Sequence, residues 1–217
     1  MHMKRILIAC EESQAITKAF RKLGFDAYSC DLLPCSGGHP EWHIQGDAIA
    51  EAYSGKYGLM VAHPPCTYLA VSGARWLYNK DGTRNEERYN NQAEALEFVE
   101  TLMNAPIEHI AIENPISVIS SHIRKPEQIV HPYMFGDKAS KSTCLWLKNL
   151  PLLEPTNIVE KGEFIEFVSK KGVKKRQAKW YYEALSKAKT PEERRTLRSK
   201  TFQGMADAIA EQWSKAL

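Results

Sequence analysis

The sequence predicts a doubly wound α/β fold: a mainly parallel sheet with helices on both faces and a small irregular insertion. Three observations carry this. Short apolar runs alternate with amphipathic stretches along most of the chain. The first of these runs form a strand, a loop, a helix and a second strand in quick succession, the usual opening of such a sheet. Acids and one thiol stand just after successive strands, where open α/β sheets bind ligands.

The elements follow in order. Residues 4–9 (KRILIA) form a short apolar run that reads as a buried strand. Residues 13–23 place Ala15, Ile16, Ala19, Phe20 and Leu23 at helical spacing, and Gly24 stops the helix. Residues 26–30 (DAYSC) make a second strand that ends at Asp31. Residues 36–46, rich in Gly, His and Trp, read as a loop. Residues 59–62 close the apolar run YGLMVA, a further strand. Residues 91–103 form an amphipathic helix, 107–112 a strand leading into Glu113-Asn114-Pro115, and 143–147 (TCLWL) another strand. Residues 201–213 include a last helix. Alternation of this kind argues for a parallel sheet covered on both sides. Residues 151–200 break the rhythm. They are Lys-rich, with a hairpin expected at 163–173 and a helical stretch at 179–188. The expected organisation is a catalytic body of residues 3–150 and 201–217 interrupted by a small basic insertion, 151–200.

Composition narrows the function classes. With 217 residues, 43% hydrophobic and 25% charged, the chain suits one globular α/β domain plus a small insertion. No run approaches the roughly 18 to 20 apolar residues of a membrane span. Met1-His2-Met3 reads as a cloning remnant ahead of a natural start at Met3, and no charged-then-apolar leader follows. The expectation is a cytoplasmic protein without membrane association. The five cysteines are scattered and include no CxxC, which argues against a zinc site or disulfide framework, so no metal is expected. Net charge is only +3, but basic residues concentrate at 170–176 (KKGVKKR) and 194–200 (RRTLRSK). Such runs suit either a solvated face or a phosphate-contacting patch.

The stretch His63-Pro64-Pro65-Cys66 holds the chemical interest. Two prolines fix the backbone immediately before one thiol. A core cysteine needs no such constraint, whereas a nucleophile must be held at a set distance from the reacting atom. The other strand ends contribute Cys10-Glu11-Glu12-Ser13, then Asp31, then Asp47, then Glu113-Asn114-Pro115. Each acid alone reads as a helix cap or loop residue; together they outline one rim.

In this order, strand-Pro-Pro-Cys followed by strand-Glu-Asn-Pro resembles the DNA cytosine-5 methyltransferase family. The resemblance covers roughly residues 4–149 and 201–213 and implies a Rossmann-like methyltransferase fold. It implies Cys66 as the nucleophile that adds to carbon 6 of cytosine, with Glu113 and Asn114 holding the base as the other catalytic residues. Ser72-Gly73 follow at the family's spacing, and Gln203-Gly204-Met205 resembles its last motif. It further implies S-adenosyl-L-methionine as cofactor, held by Cys10, Glu11, Glu12, Ser13, Asp31 at the ribose, Asp47 at the adenine amine, Pro64 and Gly204. The implied partner is DNA with a flipped cytosine, contacted by Pro65, Ser72, Arg75, Pro115, Lys141 and Thr143. Burial is expected to raise the pKa of Glu113 so that it can protonate N3.

The sequence departs from the family at three places. The first loop, Cys10 to Gln14, has no glycine, and its two acids suit either the cofactor's α-ammonium or a changed donor. The family's Gln-x-Arg-x-Arg strand is missing, and Lys141 and Thr143 stand in the nearest stretch. The insertion is far smaller than the family's recognition domain, and direct readout is gained base by base. Trp76 suits packing or filling the gap left by a flipped base, and His63 reads as a loop residue able to tune Cys66. Three functions stay open: DNA cytosine methylation, cytosine modification of a nucleotide or RNA or with another donor group, and nucleic-acid binding on an inactive scaffold. The oligomeric state is not read from the sequence.

Overall fold

The structure, a computed structural model, describes residues 5–169, 172–199 and 201–217. Its main sheet contains β1 (Arg5–Ala9), β2 (Ala27–Asp31), β3 (His43–Gln45), β4 (Tyr57–Ala62), β5 (His109–Pro115), β6 (Gln128–Val130) and β7 (Thr143–Lys148). Among the described residues the strand order is β3-β2-β1-β4-β5-β7-β6. The β1–β2, β2–β3, β1–β4 and β4–β5 pairs are parallel. β7 runs antiparallel to both β5 and β6. The expected doubly wound, mainly parallel sheet is thus present, with one reversed strand near its edge.

Alternating side chains explain why both faces are covered. Ile6 and Ile8 of β1 join Leu59, Val61, Leu145 and Leu147 on one face. There they pack against α1 (Ala15–Lys22) and α7 (Gln203–Trp213) through Ile16, Phe20, Met205, Ile209 and Trp213. Leu7 and Ala9 face the other way with Met60, Ala62, Ile110, Ile112 and Trp146. This second face is covered by α2 (Ala48–Ala52) and α3 (Glu86–Met103), with α4 (Ile119–His122) near the end of β5.

Several boundaries differ from the sequence reading. α3 begins earlier, at Glu86, because the Asn85 side chain accepts from the Arg88 N–H and two glutamates occupy the first turn, where the helix dipole favours acids. β5 extends through Pro115, so Glu113 and Asn114 lie within the strand, paired with Leu145 and Cys144 of β7. The expected loop at 36–46 contains β3 near its end, and β3 and β6 are too short for any periodicity to show.

The insertion forms its own two-stranded sheet of β8 (Phe164–Val168) and β9 (Lys174–Ala178), followed by α5 (Lys179–Lys187) and α6 (Pro191–Ser199). The second hairpin strand begins after Val173, not before it, since Gly172 turns the chain at φ +75°. Lys170, Lys171 and Lys200, part of the two expected basic patches, lie outside the described residues. Lys174, Lys175 and Arg176 are exposed on β9. The start of the 151–200 segment stays with the main body: Leu153 is buried in its core and exchanges two backbone hydrogen bonds with the Gln128 side chain. Trp180 anchors α5 by donating to the Ser140 carbonyl at 3.1 Å and by an edge contact with Phe202.

Candidate active site

β4 and β5 are parallel neighbours, so their carboxyl ends present the two sequence motifs side by side. His63 extends the β1–β4 ladder by donating its N–H to the Ala9 carbonyl at 2.9 Å. Pro64 and Pro65 have no N–H to continue it, and the chain leaves the sheet at Cys66. The Cys66 carbonyl accepts from the N–H groups of Leu69 and Ala70, which makes Cys66 the start of a tight turn. α3 props the turn from below: Arg88 donates to the Thr67 carbonyl at 3.0 Å and Gln92 to that of Tyr68 at 2.8 Å.

The two motifs are also tied to each other. Asn114 Nδ2 donates to the Pro64 carbonyl at 2.8 Å in the buried interior. The Val118 N–H donates to Leu69, the Val71 N–H to Ile116, and Ala70 bridges Ser117. His63 Nδ1 lies 3.1 Å from Glu113 Oε2, with side chains only 14% and 13% exposed. The buried side-chain atoms without a hydrogen-bond partner among the described residues include His63 Nε2, Asn114 Oδ1, Ser117 Oγ and Thr143 Oγ1. All four lie on these two motifs, just after the second of them, or on the facing strand β7, and buried polar atoms ordinarily have partners.

The charges around the thiol are coupled. Burial, then the negative charge of Glu113, push the Cys66 thiol above its usual range, while Arg198 and Lys141 pull it down by less. The resting side chain is therefore a thiol at neutral pH. Burial pushes the Glu113 carboxyl up, yet the His63 hydrogen bond and the charges of Lys141 and His63 together hold it below the usual range. Thr143 adds to this, although its hydroxyl makes no hydrogen bond of good geometry. The expectation that burial raises this carboxyl is thus corrected, because burial is outweighed by a partner that the sequence reading took for a loop residue. His63 moves the opposite way: burial lowers it, but Glu113 and Glu11 raise it overall, against Lys141.

The expected cofactor residues divide into two groups. Asp31 ends β2 and Asp47 caps α2, each accepting one backbone N–H at Oδ1, from Leu33 at 2.8 Å and Ile49 at 2.9 Å. Both lie near Cys10, whose thiol is pushed well above its usual range by burial, then by Asp31, Cys30 and Asp47. Glu11 is buried. Its carboxylate accepts from the Ile16 N–H, the Thr17 N–H and the Thr17 hydroxyl, and so caps α1, whose N-cap residue Gln14 provides no side-chain cap. Glu12 and Ser13 are half-buried, and the Glu12 carbonyl accepts from the Ser36 N–H at 2.9 Å. Gly204 sits in a close approach: a Cβ there would strike the Phe135 carbonyl, and its N–H donates to Asp137 at 3.0 Å.

The glycine-free first loop has a conformational counterpart. Cys10 and Gln14 adopt φ of +59° and +57°, the left-handed region glycine normally supplies. Gln14, which the sequence reading passed over, is fully buried and holds the 35–39 loop. Its Oε1 accepts from Cys35 Sγ and the His39 N–H, and its Nε2 donates to Ser29 and the His39 carbonyl.

The expected substrate residues surround the thiol unevenly. Thr143 opens β7 opposite Pro115, and Lys141 acts electrostatically on both Cys66 and Glu113. Pro65 is exposed beside Cys66, while Ser72 and Arg75 lie on an exposed 3-10 turn, Val71–Leu77. Arg75 stacks over Trp76 at 4.4 Å, and Trp76 is 54% exposed, which removes the packing reading of that ring. Arg198 of α6, also passed over, stacks over Tyr181 at 5.2 Å and is close enough to lower the Cys66 thiol. Its only sequence signal was membership of the second basic run. Among the described residues no cluster of acids, His and Cys suits a metal ion, and no helix is long and apolar enough to cross a membrane.

No family model and no curated protein sequence matches the chain. Among solved structures, it is similar to a DNA modification methyltransferase encoded within an E. coli prophage, at 12% identity and a TM-score of 0.44, over 72% of this chain and 52% of that one. It is also similar to a DNMT2 mutant of Spodoptera frugiperda, at 12% identity and a TM-score of 0.39, over 73% of this chain and 56% of that one. The chain spans about half the length of these two structures. At this identity and overlap, neither likeness carries an argument about activity.

Proposed function

We propose that this protein methylates carbon 5 of cytosine in DNA through a covalent Cys66 adduct. The observation that carries this reading is the joining of the Cys66 turn to the Glu113-Asn114 strand, with the carboxylate near enough to act on the thiol. Carbon 5 of cytosine is a poor nucleophile. Bonding of Cys66 Sγ to carbon 6 moves the ring's π electrons toward carbon 5 and turns the ring into an enamine. The thiol gives up its proton to water as the bond forms, and N3 gains one by way of Glu113. Glu113 also accepts from the exocyclic amine, an edge that thymine does not offer. Asn114 keeps the Pro64 backbone, and with it the nucleophile, in register with Glu113. A base inside a duplex reaches none of these groups, so it must leave the stack.

The nucleoside end of S-adenosylmethionine suits the donor set on the rim. Asp31 and Asp47 each keep one carboxylate oxygen outside their backbone bonds, suited to ribose hydroxyls and an adenine amine. Glu12 and Ser13 are left for the amino-acid end, since Glu11 is engaged in capping α1. When bound, this cofactor supplies the electrophilic methyl group. Exposed Lys174, Lys175 and Arg176 favour a nucleic acid over a free nucleotide as acceptor. The test is mass analysis of nucleosides after incubating the protein and S-adenosylmethionine with cytosine-rich DNA, and in parallel with RNA and dCMP. 5-Methylcytosine in DNA, absent with Cys66→Ala, is the expected result. Product only in RNA or dCMP moves the acceptor, and absence of any product rejects methyl transfer.

A further inference from the structure

We propose that His63 is a positioning residue that holds the proton Glu113 delivers to the cytosine ring. The proposal rests on the cytosine reading above and deepens it. Glu113 has to give a proton to N3, yet its surroundings keep it ionised at rest. A carboxylate cannot donate, so the proton must arrive from elsewhere. Bulk water reaches this pair poorly, since both side chains are largely buried.

His63 is the group in direct contact. Its Nδ1 lies 3.1 Å from Glu113 Oε2, a distance suited to direct proton transfer. The backbone fixes the ring from behind, because the His63 N–H is engaged with Ala9 and Pro64 follows immediately. The groups facing the pair come from several elements. Glu11 at the exit of β1 acts on the imidazole, and Lys141 before β7 acts on both members. Thr143 faces the carboxylate, and Cys66, itself under the influence of Arg198, faces Glu113. The ring's other nitrogen, Nε2, is buried with no hydrogen-bond partner among the described residues, so no second contact competes for the proton at Nδ1.

The balance is simple. As the Sγ–C6 bond forms, the Cys66 S–H bond breaks and its proton leaves to water, while the proton on His63 Nδ1 passes to the Glu113 carboxylate at Oε2 and from Glu113 to the N3 lone pair, which leaves Glu113 a carboxylate again. The imidazolium becomes neutral imidazole and N3 carries the hydrogen. When the adduct collapses, the carbon 5 proton leaves to water, the C6–Sγ bond breaks with its electron pair returning to sulfur, and N3 returns its proton through Glu113 to His63.

The experiment combines a titration and a rate profile. The His63 ring, labelled with ¹³C or ¹⁵N, is titrated by NMR in the free protein and in Glu113→Gln. Single-turnover methylation of a cytosine-containing DNA duplex is followed across pH for wild type, His63→Asn and His63→Gln. Asparagine can keep a donor near the Nδ1 position but cannot carry an extra proton. The expected titration is a midpoint above the ordinary histidine range that drops in Glu113→Gln. The expected profile for His63→Asn is near wild-type rate at acid pH and a loss growing to about ten- to a hundredfold at alkaline pH, as removal of a general-acid source predicts. An unshifted imidazole, or a wild-type profile in His63→Asn, overturns the proposal. Absence of wild-type methylation at any pH overturns the cytosine reading and the catalytic half of this one, while the titration still reads the shared proton by itself.

Discussion

Asn114 Nδ2 donates to the Pro64 carbonyl oxygen at 2.8 Å, so the side chain of one motif holds the backbone of the other. Pro64 cannot enter the strand ladder, and this bond replaces the ladder contact its neighbourhood lacks. Replacing Asn114 with alanine leaves that buried carbonyl without its partner, at a cost of about 1–3 kcal/mol. For a chain of this size each kcal/mol lowers the melting temperature by about 2–4 °C. Asn114→Ala is expected to melt several degrees earlier and to lose turnover beyond that, because the Cys66 turn loosens. Calorimetry beside a single-turnover rate checks it. An unchanged melting temperature sinks the tie.

Cys66→Ser and Cys66→Ala are expected to leave the fold intact and remove covalent chemistry. Cys66 holds the turn through its backbone carbonyl, so the turn survives the change. Denaturing gel analysis of a 5-fluorocytosine duplex incubated with S-adenosylmethionine provides the readout. A trapped adduct is expected with wild type and with neither variant. An adduct in the alanine variant moves the nucleophile to another residue.

Much of this arrangement was legible in the sequence because it is written in short-range patterns. The short apolar run from Ile6 to Ala9 marks a buried strand, and Pro-Pro before Cys66 marks a chain leaving a sheet. What stayed hidden depends on long-range pairing. His63 and Glu113 lie fifty positions apart, and only the β4–β5 register brings them together. Glu11 looked like a rim acid since nothing local shows that its carboxylate turns back onto Ile16 and Thr17. Gln14 and Cys10 hid in a loop judged by its missing glycines, although non-glycine residues took up the left-handed conformations. Arg198 reaches the site only through the packing of the insertion.

Gly204→Ala is expected to destabilise the protein without touching the thiol. The added methyl group would drive into the Phe135 carbonyl and the Asp137 carboxylate, where backbone cannot swing aside like a flexible side chain. Such overpacking costs typically about 1–3 kcal/mol. It also threatens the Gly204 N–H bond to Asp137, which holds the start of α7. Denaturant unfolding checks this. Wild-type stability in Gly204→Ala rules out the close approach.

The His63–Glu113 pair makes stability depend on pH in both directions. His63 is raised in the fold, so its contribution is full below its ordinary value of 6.5 and fades as pH rises through the raised value. Glu113 is lowered, so its contribution is present above its ordinary value of 4.5 and fades as pH falls through the lowered one. Glu11, raised chiefly by burial, costs stability as pH rises above its ordinary value of 4.5, and it is present in both proteins compared next. Comparing wild type with the His63→Asn/Glu113→Gln double variant isolates the pair. Their difference in unfolding free energy is expected to peak between about pH 4.5 and 6.5 and to narrow on both sides. A difference independent of pH removes the charged pair.

Glu113→Gln is expected to lower turnover far more than it weakens DNA binding. Glutamine has nearly the same size, so packing at the end of β5 survives, and its amide can still donate or accept a hydrogen bond. It cannot carry a proton to N3. That interaction strengthens as the ring gains electron density, so its loss falls on the transition state rather than on the bound substrate. Help of this kind is worth about 10² to 10⁴-fold in rate. DNA affinity should come mainly from phosphate contacts, with Lys174, Lys175 and Arg176 on the exposed hairpin strand as the candidates. These lie on β9, outside the main sheet that carries Glu113, and the substitution leaves their charges unchanged. A binding titration at fixed salt beside a single-turnover rate separates the two effects. A near wild-type rate makes Glu113 a structural acid. Loss of affinity in proportion to rate places it in ground-state binding instead, and the proton-transfer role then falls with it.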